Sequence, residues 1–299
     1  MQSGKERRIF YLLMGLAMIG WGASWVHVKY LSGYMSIHEI IFYRYALTAL
    51  SMPPLLLWLK IPLLIDRVSL GVTLLTSAIM ILYTWLFIAG TKLGSAGLGG
   101  AFVTTLIPIV TFVMMALLHR RRLRRIQVLA LGLGALGVMT ILNVWSFRAE
   151  EILRLENLYF VLAALCWGVL TILSSRVAGR IDPLFYSFVM YAAVAGMEGL
   201  FLSDFRTDLS SLPPAVWANL LLLALFSTTF ATSVYFIGGK KIGADLVSSF
   251  TFLVPFSAIG LSALFLGEPV SWGMLLGTAM TLLAIWLLNR PEPRAQDPQ

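Results

Sequence analysis

The sequence predicts an all-α integral membrane protein with ten transmembrane helices, arranged as two five-helix repeats of opposite orientation. Three observations predict it. Of 299 residues, 59% are hydrophobic and only 12% are charged, and the mean hydropathy is +0.86. Apolar runs long enough to cross a bilayer recur ten times. The two halves of the chain also share sequence at a nearly constant offset.

A soluble domain carries about a quarter charged residues, so lipid must cover much of this apolar surface. Roughly 20 apolar residues bounded by charge or turn residues mark a span. Such runs lie near 9–28, 37–59, 68–91, 96–118, 126–147, 157–177, 183–203, 215–239, 245–266 and 271–289. As helices, all satisfy their backbone groups internally. The opening MQSGKERR has no small-residue cleavage site, so the first run is read as a retained span and not a signal peptide. The repeats divide the chain into residues 1–150, with spans one to five, and residues 151–299, with spans six to ten and a short tail.

The net charge is +8. With a cytoplasmic N-terminus, sixteen of the 22 Lys and Arg residues fall in inner segments, five in outer loops, and Arg44 inside the second span. That bias predicts both termini in the cytoplasm. The basic run from His119 to Arg125 is then an orientation anchor on anionic headgroups, and no nucleic-acid partner is expected. The single cysteine, Cys166, lies in the sixth span, which excludes an internal disulfide and a Cys-based metal site. No cofactor or metal is expected.

The repeat is explicit. FIAGTKLG at 87–94 answers FIGGKKIG at 236–243, an offset of 149. Thr104-Thr105-Leu106-Ile107-Pro108 answers Thr251-Phe252-Leu253-Val254-Pro255 at 147, and Trp21-Gly22 answers Trp167-Gly168 at 146. Five spans per repeat is odd, so the second half enters the membrane from the opposite side. Such inverted repeats build secondary transporters, with the binding site near the midplane between the halves. Pro108 and Pro255 are expected in mid-span, where each removes the amide that would bond the carbonyl of Thr104 or Thr251. A freed carbonyl at membrane depth needs a partner. Two readings stand: a packing kink alone, or a kink that also lines a cavity.

Trp21-Gly22, Phe42-Tyr43-Arg44-Tyr45, the Thr-x-Leu-x-Pro segment ending at Pro255, and Gly267-Glu268-Pro269-Val270-Ser271 followed by Gly277 together resemble one family. It is the drug/metabolite transporter superfamily, in its EamA-like ten-helix branch, and the likeness covers nearly the whole chain. Within that branch the sequence is most similar to the YddG-type exporters of aromatic amino acids. The resemblance implies a central cavity surrounded by spans one, three, four, six, eight and nine, in a bacterial inner-membrane protein. In the first half, Arg120 to Arg122 stand where many members carry a Gly-Glu pair, so Glu268 is not a symmetric element.

The expected substrate-binding set is Trp21, Trp167, Tyr83, Trp85, Phe102, Thr104, Ser249 and Thr251. Membrane tryptophans concentrate at the interfaces, whereas Trp21 and Trp167 fall at mid-depth, where an indole offers a flat apolar face and one donor. Helix packing is the alternative reading. Gating or structural roles are expected for Arg44, Glu198, His27, Pro108 and Pro255. Arg44 lies about 10 Å along its span and could snorkel, pair with Glu198, or bind a substrate carboxylate. His27 reads either as a proton relay or as an interface histidine. Ser227, Thr228, Thr229, Thr232 and Ser233 on span eight can bond neighbouring helices or line a cavity.

Gly273-x-x-x-Gly277 is a close-packing motif, serving either span five or a dimer contact, so a weak homodimer stays open. Gly132-x-Gly134-x-x-Gly137 spells a dinucleotide fingerprint but lies inside an apolar span without βαβ context. No His/Asp/Glu constellation fit for catalysis is present. The expectation is a carrier of a small amino-acid-like substrate in a lipid bilayer, not an enzyme. A channel or scaffold without alternating access is the alternative.

Overall fold

The computed structural model describes residues 4–118, 120, 123–146, 150, 153–205, 207–242 and 250–288. Among them are ten main helices and no strand. These are α1 (Gly4–Leu31), α2 (Ile37–Trp58), α3 (Arg67–Leu93), α4 (Ala96–Leu118), α5 (Arg125–Ile141), α6 (Leu155–Val177) and α7 (Pro183–Glu198). Then come α8, in three continuous stretches, α9 (Leu253–Leu266) and α10 (Trp272–Leu288). The stretches of α8 are Pro214–Leu221, a π-helical Leu222–Phe230, and Ala231–Ile242. Polar side chains fix several starts. Ser36 and Glu39 form a reciprocal capping box on α2. Asp66 accepts the amides of Val68 and Ser69 at the head of α3, and Asp182 accepts that of Leu184 ahead of α7.

Seven helices are long and apolar enough to cross a membrane: α1 to α4, α6, α7 extended to Phe201, and α8. The others, α5, α9 and α10, are apolar but only 17, 14 and 17 residues long. Each helix overlaps one of the ten apolar runs, and the differences at their ends have local causes. α5 stops at Ile141, short of residue 147, because Asn143 adopts a left-handed φ of 52°. α7 gives way at Gly199 to a 3-10 turn, Gly199–Asp204. α9 starts only at Leu253, after a turn at Thr251 and Phe252.

That turn takes Pro255 out of mid-helix. It lies in the first turn of α9, where a missing amide costs nothing. The Thr251 carbonyl accepts the Val254 amide at 3.0 Å instead. Pro108 does sit inside α4, so the two prolines match in sequence but not in setting.

The surface is lipid-like. Leu50, Trp58, Leu264 and Trp272 are each at least 74% exposed, while Thr48, Thr84, Thr105 and Glu198 are fully buried. Helix pairing follows a pattern that survives exchange of the two halves. α5 packs on α10, α2 on α7, and α4 on α9. α3 on α6 is answered by α8 on α1, α4 on α6 by α9 on α1, and α3 on α7 by α8 on α2. The Trp-Gly pairs take part in this pattern. A Cβ on Gly22 would lie 2.6 Å from Ser257 of α9, and one on Gly168 would lie 3.0 Å from Met114 of α4. The close-packing motif is used within the chain: Gly277 and Gly137 meet backbone to backbone between α10 and α5. The core centres on Trp25, edge-on to Phe87 at 4.3 Å and to Phe160 at 5.9 Å.

Candidate functional site

Arg44, Thr48 and Ser51 recur at spacings of four and three, so they share one face of α2. That face meets the π-helical stretch of α8. Arg44 Nε donates to Thr228 Oγ1 at 3.1 Å, Thr48 donates to the Ala224 carbonyl at 3.2 Å, and Ser51 bonds Thr229 at 2.7 Å. The same two threonines reach back along their own helix. Thr228 donates to the Leu223 carbonyl at 2.8 Å and Thr229 to that of Ala224 at 3.0 Å, each five residues away. A π turn is rare and tends to occur at functional sites. Here its widened pitch is matched by hydroxyls, and the buried Ser227 hydroxyl has no partner among the described residues.

An aromatic wall surrounds Arg44. Its guanidinium carbon stands 5.2 Å from the ring centre of Tyr45, which stacks on Tyr191 at 5.2 Å and bonds Thr84 at 2.9 Å. Tyr83 meets Trp167 edge-on at 4.8 Å. Between α1 and α8 Trp21 meets Tyr235 at 5.1 Å. The two matched tryptophans therefore each face a tyrosine, across α6 and α3 in one case and across α1 and α8 in the other.

The remaining predicted residues are more scattered. Trp85 is nearly half a helical turn away from Tyr83 and packs on Tyr159 at 5.7 Å. Phe102 is fully buried in the main core against Phe160. The Thr104 hydroxyl bonds the Gly100 carbonyl, one turn back. Ser249 lies outside the described residues. His27 Nδ1 bonds Asn219 Oδ1 at 2.7 Å; since the Asn219 amide group donates to Ala215, the histidine is the donor. The envisaged Arg44–Glu198 pair does not form. Glu198 takes His38 as its partner, and Arg44 takes Thr228.

Sequence reasoning missed Tyr45, Thr48, Ser51, Thr84 and Tyr191. Helical spacing from Arg44 pointed to Thr48 and Ser51; the long-range partners left no local signal. It also missed the work of Glu268. Gly267 ends α9 in the left-handed conformation, φ 66°, and turns the chain so that Glu268 reaches the head of α4. There the carboxylate accepts the Ser95 hydroxyl at 2.6 Å and the amides of Ala96 and Gly97 at 2.8 Å. Those amides are among the unpaired donors of a helix start, where negative charge is favoured.

The description of the EamA-like transporter family fits residues 8–143 and, a second time, residues 154–290. The chain belongs to the EamA-like transporter family. This EamA-like chain is 24% identical over 289 residues to the uncharacterized transporter YyaM of Bacillus subtilis, covering 94% of this chain and 93% of that one. It is 27% identical over 213 residues to a WAT1-related chloroplastic protein of Arabidopsis thaliana, covering 68% and 50%. A solved crystal structure shares the fold, with a TM-score of 0.66 at 17% identity over 95% of this chain and 98% of that one. The EamA-like chain is thus a multi-pass membrane transporter.

Proposed function

We propose that the protein is a secondary transporter that exports small amphipathic metabolites by alternating access, with aromatic or neutral amino acids as substrates. This keeps the YddG-type likeness as the guide to substrate. In this reading all ten helices cross the bilayer of the bacterial inner membrane, the halves 1–150 and 151–299 are inverted, and both termini are cytoplasmic. The observation that carries it is the exchange symmetry of the helix pairs, with a Trp–Tyr contact at each of two corresponding interfaces. Two interchangeable halves can swap conformations and so convert a cavity open to one side into one open to the other. A single deep arginine and many hydroxyls suit a small substrate of low charge; a sugar phosphate would demand several cations.

Counterflow of labelled phenylalanine or threonine into proteoliposomes tests this, with saturable uptake expected. No saturable uptake of any amino acid sinks the substrate assignment. Single-cysteine labelling in a Cys166-free background should trap two opposite accessibilities; one fixed accessibility would mark a channel or scaffold.

A further inference from the structure

Arg44, in the first half of α2, is a half-buried cation that no carboxylate of the described residues neutralises. A charged side chain within a membrane helix is costly, up to about 2.5–3.5 kcal/mol at the helix centre on insertion scales, so such a group has a partner or a task. Its Nε is taken by Thr228 and its flat face lies near the Tyr45 ring. Among the described residues its two terminal amino groups have no hydrogen bond, and no carboxylate pairs with it. The buried acids are engaged elsewhere. Glu198 holds His38, and Glu39 accepts the Ser36 amide and both the amide and hydroxyl of Thr207. Beside the charge stand the Tyr45 ring and, stacked on it, Tyr191.

We infer that Arg44 is the binding site for the carboxylate of the transported substrate, which is a monocarboxylate with a flat apolar body. The inference rests on the transport reading above and narrows its substrate. A guanidinium fork matches a carboxylate with two parallel hydrogen bonds. The Nε bond to Thr228 fixes the plane of that fork and leaves the terminal pair of amino groups for the ligand. One cation balances one anionic charge, so a doubly charged phosphate is disfavoured. The Tyr45–Tyr191 stack supplies a flat aromatic wall beside it.

The test uses 3-phenylpropionate and phenethylamine, which carry opposite charges on the same flat body. Detergent-purified full chain is titrated with each, with tryptophan fluorescence as the readout. Saturable binding of 3-phenylpropionate is expected, at least tenfold tighter than that of phenethylamine. R44Q should weaken it roughly ten- to a hundredfold, and R44K by less. Equal binding of the two probes by the native protein, or unchanged binding in R44Q, overturns the inference. If R44Q does not fold, R44K decides, since undiminished binding there overturns the role of the fork. Carboxylate binding without counterflow of any amino acid sinks the amino-acid assignment alone and leaves this site standing.

Discussion

His38 Nδ1 donates to Glu198 Oε2 at 2.8 Å, joining the start of α2 to the end of α7. The carboxylate is 0% exposed and the imidazole 31%. Glu198 Oε1 has no partner among the described residues, so His38 is the main support of this buried group. Removing one partner of a buried pair strands the other. H38A should therefore cost about 3 kcal/mol, the lower end for such a loss because His38 reaches the surface. E198Q should cost less. Thermal unfolding of the purified variants checks the order, and a harmless H38A would refute the account.

Glu268 ties the second half of the chain to the head of α4 in the first. E268A removes the acceptor for two amides and a hydroxyl, at a cost of about 2 kcal/mol. E268Q keeps one acceptor oxygen but loses the charge and turns an NH2 donor towards the donors on the other side, so its midpoint should fall between those of E268A and the native protein. Equal midpoints for E268A and E268Q would show that accepting the hydrogen bonds contributes nothing.

The α5–α10 contact leaves no room for a methyl group at Gly277, whose Cβ would sit 2.5 Å from the Gly137 carbonyl oxygen. G277A should destabilise by about 3 kcal/mol, near the top of the range for overpacking. G273A should be milder, since its nearest obstacle, the Thr140 carbonyl, is 3.1 Å away. Comparing the two variants for membrane yield and melting temperature tests the ranking.

Trp167 and Trp21 separate packing from transport. W167A and W21A should each lower counterflow at least tenfold while membrane expression falls far less. W167F should retain much of the activity, because a ring still meets Tyr83. Parallel loss of expression and transport would assign both indoles to packing.

Asp66, between α2 and α3, is a pH-sensitive cap. The amide and hydroxyl of Ser69 hold its carboxyl below the usual carboxylate range, with help from Arg180 at 3.5 Å. A depressed folded value means that the stabilisation is complete above the unfolded value, about 4. It is lost as pH falls below that value towards the folded one. Melting temperatures of the native protein and D66N should therefore differ at pH 6 and converge near pH 3. A gap that persists in acid would contradict the cap.

Hydropathy located the helices because length and apolarity are properties of each segment separately, although among the described residues only seven of them are long enough to cross a membrane. What decided the ends was local backbone chemistry: the left-handed Asn143, and the turn at Thr251 that moved Pro255 out of mid-helix. Arg44, Trp167 and Tyr83 were legible as chemistry out of place at depth. Their partners were not, since Tyr191 and Thr228 come close only through the packing of distant helices. Glu198 shows the same limit, because its depth fitted Arg44 as well as His38 and only the fold distinguishes them.

The π-helical stretch has a mechanical consequence. It carries one residue more than an α-helix of equal turns would need. Taking up that slack would rotate the lower part of α8 by about 100° and shift it by about 1.5 Å. Thr232, Ser233 and Tyr235, which follow the π stretch, would all be re-aimed relative to the helix before it. The grip of Arg44 on Thr228 lies inside that stretch, so whatever engages the arginine also touches the place where the helix can be rewound.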